Sequence, residues 1–296
     1  MSNAELGPVY ALLTALTWAV AVVLFKKSGN TIAPLALNLL KNSFGLVLIL
    51  LSALWSGTAH HNASLTDYAM LLASGALGIG IADTLLFTGL NLTGATHQAI
   101  VETIYSPAVV VLSYFMLGEL LTGKELLGGL LILSAVLIAS LRPNDPLLPQ
   151  ETLLKGFVLG ASSMLMMAFA IVWVKPVLER HDVLFSTGVR LTGGLLCLLA
   201  LAVTTKARRR AALLAFRPQP AWRFAIPGAF LGTYLSLLLW IAAFKYSNAG
   251  VAALLNQTST LFIVILAAVF LREPLTGRLV AAVGLALAGS VVVLLR

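Results

Sequence analysis

Four ionisable residues lie inside long apolar stretches of this chain: Lys41, Asp83, Glu102 and Arg190. An ionised group in hydrocarbon costs about 2.5 to 3.5 kcal/mol on insertion scales, so each needs a counter-charge, a water-filled cavity, or both. Lys41 and Arg190 are candidates for holding a carboxylate or for pairing with the acids. One lysine cannot neutralise two neighbouring carboxylates. One acid is therefore left over, which makes Glu102 and Asp83 candidates for proton coupling or for binding an amine.

Neutral hydrogen-bonding groups recur at helical spacing around these charges. Gln98, Glu102 and Ser106 fall at i, i+4 intervals with Tyr105 alongside, and Asn256 and Thr260 repeat that interval with Gln257 beside them. Trp18 with Thr14, and Trp240 with Ser236, are candidates to wall a cavity. The expected binding set is thus Trp18, Lys41, Asp83, Gln98, Glu102, Tyr105, Arg190, Trp240, Asn256, Gln257 and Thr260. Pro107 frees a backbone carbonyl about one turn earlier and should kink its helix next to Glu102. His97, near a segment end, reads as a surface residue.

The elements that must position these groups are membrane helices. Of 296 residues, 59% are hydrophobic and 10% charged, where an ordinary globular domain carries about a quarter charged. Apolar runs near 20 residues long, enough to cross about 30 Å of hydrocarbon, are expected at about 7–25, 34–54, 68–88, 95–116, 124–141, 155–174, 183–203, 222–244, 248–270 and 277–295. The connections are short, and the longest, Lys206 to Trp222, is basic and rich in Pro and Arg. The first six residues carry no Lys or Arg, so the first run is expected to remain as a helix rather than act as a cleaved signal. A single cysteine, Cys197, rules out an internal disulfide.

The chain is written twice. An offset of 154 positions lays Gly118 through Lys124 on Arg272 through Arg278, with Gly78 on Gly232 and Ala95 on Ala249. Upstream, an offset of 149 lays Ala19, Lys26, Lys41 and Gly45 on Ala168, Lys175, Arg190 and Gly194. Ten spans in two sets of five force the second copy to be inverted. The expected fold is all-α, ten transmembrane helices forming two inverted five-helix repeats around a central cavity. The repeats are 1–142 and 155–296, with a linker at 143–154. Lys41, Asp83 and Glu102 should share a depth near one face, and the inversion carries their counterparts Arg190, Leu237 and Asn256 to the other.

Basic residues mark the sidedness. Lys26, Lys27, Arg142, Lys155, the six between Lys206 and Arg223, Arg272 and Arg278 share one face, against Lys124, Lys175, Arg180, Lys245 and Arg296 on the other. The positive-inside rule puts the richer face in the cytoplasm and both termini outside. The net charge of +8 has the same origin and does not signal nucleic-acid binding, because no aromatic residues interleave a basic face.

The chain offers no catalytic machinery. Gly118-Glu119-Leu120-Leu121-Thr122-Gly123-Lys124-Glu125 approaches a phosphate-binding loop, but Glu125 stands where Ser or Thr would reach Mg²⁺. It reads better as a turn between two helices, with Thr122 capping the second. No His-Glu-x-x-His, Gly-x-Ser-x-Gly or Cys/His cluster occurs, so no enzyme, metal or cofactor is expected. Gly156 with Gly160, and Gly228 with Gly232, have the Gly-x-x-x-Gly spacing of close helix contacts.

Two halves that each close on Gly-Glu or Arg-Glu, followed by Leu-Thr-Gly-Lys or Leu-Thr-Gly-Arg, resemble the EamA-type branch of the drug/metabolite transporter superfamily. Pro34 to Lys41 with Gly45, Pro107 within span 4, Glu119 and Glu273, and the glycines of spans 5 and 10 carry the resemblance. It implies ten helices around a cavity lined by spans 1 to 4 and 6 to 9, with spans 5 and 10 peripheral. It also implies a carrier, mostly an exporter, of amino acids, other small metabolites or drugs in the bacterial inner membrane. Asp83 and Glu102 depart from the family pattern and favour an amine-bearing substrate or proton coupling over a neutral drug. Facilitative exchange without protons is the alternative, and an integral-membrane lipid-modifying enzyme a distant one. The expected partners are the small-molecule substrate, protons and membrane lipids; a homodimer is allowed but not required.

Overall fold

The structure, a computed structural model, describes residues 3–57, 63–140, 149–271 and 277–294. Among them every regular element is helical. The first half comprises α1 (Asn3–Gly29), α2 (Pro34–Ser56), α3 (Leu65–Gly75), a π-helical segment (Ala76–Ala82), α4 (Asp83–Glu102), α5 (Tyr105–Leu117) and α6 (Gly123–Ser140). The second comprises α7 (Gln150–Arg180), α8 (Val183–Val203), α9 (Lys206–Ala215), α10 (Trp222–Gly228), a second π segment (Ala229–Ser236), α11 (Leu237–Tyr246), α12 (Ala249–Asn256), α13 (Ser259–Leu271) and α14 (Gly277–Leu294).

Among the described residues, six continuous helical stretches are long and apolar enough to cross a membrane: Leu6–Gly29, Pro34–Ser56, Leu65–Gly94, Gln150–Arg180, Val183–Val203 and Trp222–Tyr246. Tyr105–Leu117, Ala249–Ile263 and Gly284–Val293 are shorter and apolar. The protein is an integral membrane protein, because hydrocarbon solvates such surfaces and water does not.

Several boundaries differ from the sequence expectation. Helix α7 begins at Gln150, so the end of the expected linker is already helical; residues 141–148, where the linker begins, lie outside the described residues, as do Arg272, Glu273 and Pro274. The Arg-rich connection after α8 contains a helix of its own, α9, opened by Thr205 accepting the Arg208 N–H. Spans 4 and 9 are each broken rather than continuous, at Thr103-Ile104 and at Gln257-Thr258. The expected kink at Pro107 is thus a full interruption, with Pro107 in the first turn of α5, where its missing N–H costs nothing. The second break has no proline: Leu261 stands in that place. Side chains serve instead, with the Ser106 hydroxyl donating to the Ala253 carbonyl and the Thr258 hydroxyl to the Leu255 carbonyl.

Close helix contacts follow the small residues. A Cβ placed on Gly75 would lie 1.8 Å from the Arg190 carbonyl oxygen, so α3 and α8 touch backbone to backbone. Gly156 and Gly160 receive Thr93, Gln98 and Val101 of α4, and Gly228 and Gly232 receive Phe25 of α1. Helices α6 and α14 pack on each other through Gly128 and Gly289.

The end of the bundle where α7 finishes is tied together by charge. Lys175 pairs with Glu119 at 2.9 Å and also with Glu179, and Glu119 accepts the Ala249 N–H at 2.7 Å, capping α12. Asp67 in the first turn of α3 holds Arg180 and His181 at 2.6 and 3.0 Å. Thr122 and Glu125 form a reciprocal cap at the start of α6, so the turn interpretation holds and no phosphate loop is formed.

Candidate functional site

Both π segments sit at the same place in their halves: Ala76 and Ala82 fall on Phe230 and Ser236 at the 154 offset. A π turn displaces backbone carbonyls from the α ladder. Asn38 Nδ2 donates to the Ile79 carbonyl at 3.0 Å and Ser163 to the Ala82 carbonyl at 2.7 Å, pinning the first segment between α2 and α7. Asp83 follows at its C-terminal end, held at a fixed depth and facing α2.

There Lys41 Nζ donates to Asp83 Oδ2 at 2.8 Å and to Asn42 Oδ1 at 3.2 Å. Asn42 in turn donates to Asn38 at 2.8 Å. The ammonium also faces the rings of Phe87 and Phe25, 5.4 and 5.8 Å from their centroids. These contacts give a lysine only 3% exposed the partners that a buried ammonium needs. The structural ion pair allowed for by the sequence is therefore present, and Glu102 is the acid left over.

A cavity of about 110 Å³ lies between the two halves, lined by residues of α1, α2, α4, α5, α7, α8, α11, α12, α13, both π segments and the second break. A single water needs about 10 to 15 Å³ of such volume, so this cavity admits a small solute. Trp18, Lys41, Asp83, Glu102, Tyr105, Arg190, Trp240, Asn256 and Gln257 all line it. Two expected residues do not. Gln98 is 1% exposed and packed against Gly160 and Gly89, because its helix turns it toward α7. Thr260 is fully buried and accepts from Gln257 at 3.2 Å; it positions Gln257 rather than facing the cavity. The side chain of His97 lies outside the described residues.

Lys41, Asp83, Glu102 and Arg190 all line this one cavity. Lys41 is held at Asp83 and Arg190 at Ser74, nearer the start of the same helical stretch. Packing of α2 on α8, and of the first π segment on both α7 and α8, brings both cations to the lining of that cavity.

Their partners differ. The Arg190 guanidinium donates to Ser74 at 2.9 Å and lies 5.8 Å from the Trp240 ring centroid, while its Nε has no hydrogen-bond partner. Among the described residues, neither Arg190 nor Glu102 forms an ion pair. Asn256 Oδ1 and Thr233 Oγ1 are likewise buried without a partner. The cavity thus holds one satisfied ion pair, one unanswered cation and one unanswered carboxylate. Leu86, Met164 and Met167 add apolar walls that the sequence did not single out. A methionine pair inside an apolar helix gives no such signal.

The two broken helices meet beside the cavity. Ser106 at the start of α5 donates to the Ala253 carbonyl at 2.9 Å and approaches Gln257 Oε1 at 3.0 Å. The start of α5 is thus hydrogen-bonded to the break of the other half.

Comparison with known proteins follows the same outline. The family model described as the EamA-like transporter family matches residues 5–141 and again 154–295. An uncharacterized transporter of Methanothermobacter thermautotrophicus is 28% identical over 219 residues, covering 70% of this chain and 59% of that protein. The chain thus spans under two thirds of that relative's length. An uncharacterized transporter of Archaeoglobus fulgidus is 27% identical over 283 residues, 92% of each chain. A solved crystal structure superposes with a TM-score of 0.77 over 97% of this chain and 95% of that one, at 15% identity, which shows the shared fold alone.

Proposed function

The chain belongs to the EamA-like transporter family, and on that premise we propose that it is a secondary transporter exporting small amine-bearing metabolites, amino acids foremost, by alternating access. The ten-span arrangement as two inverted repeats in a plasma membrane belongs to the same proposal, supported by the paired π segments and paired helix breaks at matching positions. The observation that carries the substrate class is the charge balance of the cavity. With Lys41 and Asp83 satisfying each other, Arg190 and Glu102 remain to receive a carboxylate and an ammonium. A zwitterion answers both charges and leaves the cavity neutral. Trp18, Leu86, Met164, Met167 and Trp240 would take the apolar body, while Asn256 and Gln257 supply neutral hydrogen bonds. Glu102 is also the group best placed to exchange a proton for the amine during return of the empty carrier.

The test is thermal unfolding of the purified protein in detergent against amino acids, their amine-only and acid-only analogues, and neutral drugs. Ligand at about 100 times its Kd stabilises the folded state by about 2.7 kcal/mol. Zwitterions should raise the unfolding temperature more than either analogue, and both Glu102→Gln and Arg190→Gln should remove the gain. Neutral compounds acting alone, undiminished by Glu102→Gln, would replace this reading with drug efflux.

A further inference from the structure

Away from the cavity, at the end of the bundle opposite the Lys175–Glu119 pair, lies the short helix α9. Lys206, Arg208, Arg209, Arg210, Arg217 and Arg223 are all exposed there, and none forms an ion pair among the described residues. No Asp or Glu occurs anywhere between Asp182 and Glu273. The helix is not a loose excursion. Ala212 and Ala215 are buried, Ala212 in one apolar cluster with Leu39 of α2 and Leu195 and Leu198 of α8, and Ala215 in another with Ala36 and Leu37 of α2. Trp222 Nε1 donates to the Ala215 carbonyl at 2.9 Å, fixing its end.

The opposite face is mixed in a specific way. At 3.6 residues per turn, Lys206, Arg209, Arg210 and Leu213 fall within about 100° of one another, away from Ala212 and Ala215. Leu213 is 66% exposed, and Leu214 and Phe216 follow at 45% and 43%. A face meant for water alone would not carry three large apolar side chains. The cations also crowd the N-terminal half, where the helix dipole disfavours positive charge, and no acid offsets them. An anion layer beside an apolar layer satisfies both halves of the face at once. Helix α9 directly follows the end of the apolar span α8, so it sits where those two layers meet.

We infer that α9 is a docking surface for anionic phospholipid, with Lys206 and the arginines on headgroup phosphates and Leu213, Leu214 and Phe216 among the acyl chains. Because α9 is packed on α2, which carries Lys41, bound lipid braces the wall of the cavity. This inference stands apart from the substrate assignment, since it concerns a different surface and a different ligand.

The experiment titrates purified protein in uncharged detergent with phosphatidylglycerol, phosphatidylcholine or inorganic phosphate and follows the unfolding temperature. Phosphatidylglycerol alone should raise it, and the gain should shrink in high salt. In the triple variant R208Q/R209Q/R210Q the phosphatidylglycerol concentration giving half the gain should rise roughly tenfold or more. The variant R208K/R209K/R210K should keep the gain, since charge rather than arginine geometry is required. Equal gains with both lipids, an undiminished gain in the glutamine variant, or a full gain with inorganic phosphate would each overturn the assignment.

Discussion

Removing Lys41 should harm the protein more than removing its partner's charge, and the neighbours of each group explain why. Lys41→Met strands Asp83, which has no other cation within ion-pair distance among the described residues. Breaking a buried pair in this way costs about 3 to 5 kcal/mol, and the lower end applies because Asp83 borders a cavity that water can enter. Asp83→Asn leaves Lys41 with Asn42 at 3.2 Å, the faces of Phe25 and Phe87, and the carbonyl oxygen of the new amide. Those contacts retain much of the support, so the loss should be about 1 to 2 kcal/mol. For a chain of this size 1 kcal/mol moves the unfolding temperature by roughly 2 to 4 °C, so the two variants should separate by several degrees. Lys41→Met combined with Asp83→Asn removes both charges, so its loss should fall short of the summed single losses by a coupling of about 2 kcal/mol. The assay is reversible thermal or denaturant unfolding in detergent with all variants compared at one pH. Equal losses for the two single variants, or a double variant no better than their sum, would refute the ion-pair account.

Other substitutions probe the frame of the site. Gly75→Ala drives a methyl group to 1.8 Å from the Arg190 carbonyl and must push α3 off α8; we expect a loss of about 3 kcal/mol or more, by the overpacking rule, and an unchanged unfolding temperature would contradict it. Glu119→Gln should keep the Ala249 cap while losing the Lys175 pair, whereas Glu119→Ala loses both; the alanine variant should be about 1 kcal/mol the less stable, a typical cap. Pro107→Ala should leave the break at Thr103-Ile104 in place, because the matching break at Gln257-Thr258 forms without proline. Spin-label distances across α4 and α5 would show a straightened helix if that is wrong.

The sequence by itself determined the membrane class, the doubled plan and the four charged residues of the core. Long apolar runs and shared register are one-dimensional properties, and the cost of charge in hydrocarbon singles out Lys41, Asp83, Glu102 and Arg190 without any geometry. Trp18, Trp240, Tyr105, Asn256 and Gln257, singled out beside Thr14, Ser236 and Glu102 or at the repeat counterpart of Glu102, also line the cavity. Which charges answer each other was not legible. That depended on the tertiary setting of Asp83, which follows a π segment that no apolar pattern encodes and there meets Lys41. The same holds for Gln98 and Thr260, whose spacing fits the cavity but whose side chains turn into helix contacts. Only tertiary packing brought Lys41 of α2 and Arg190 of α8 to the wall of one cavity, because position along a helix says nothing about which neighbour it faces.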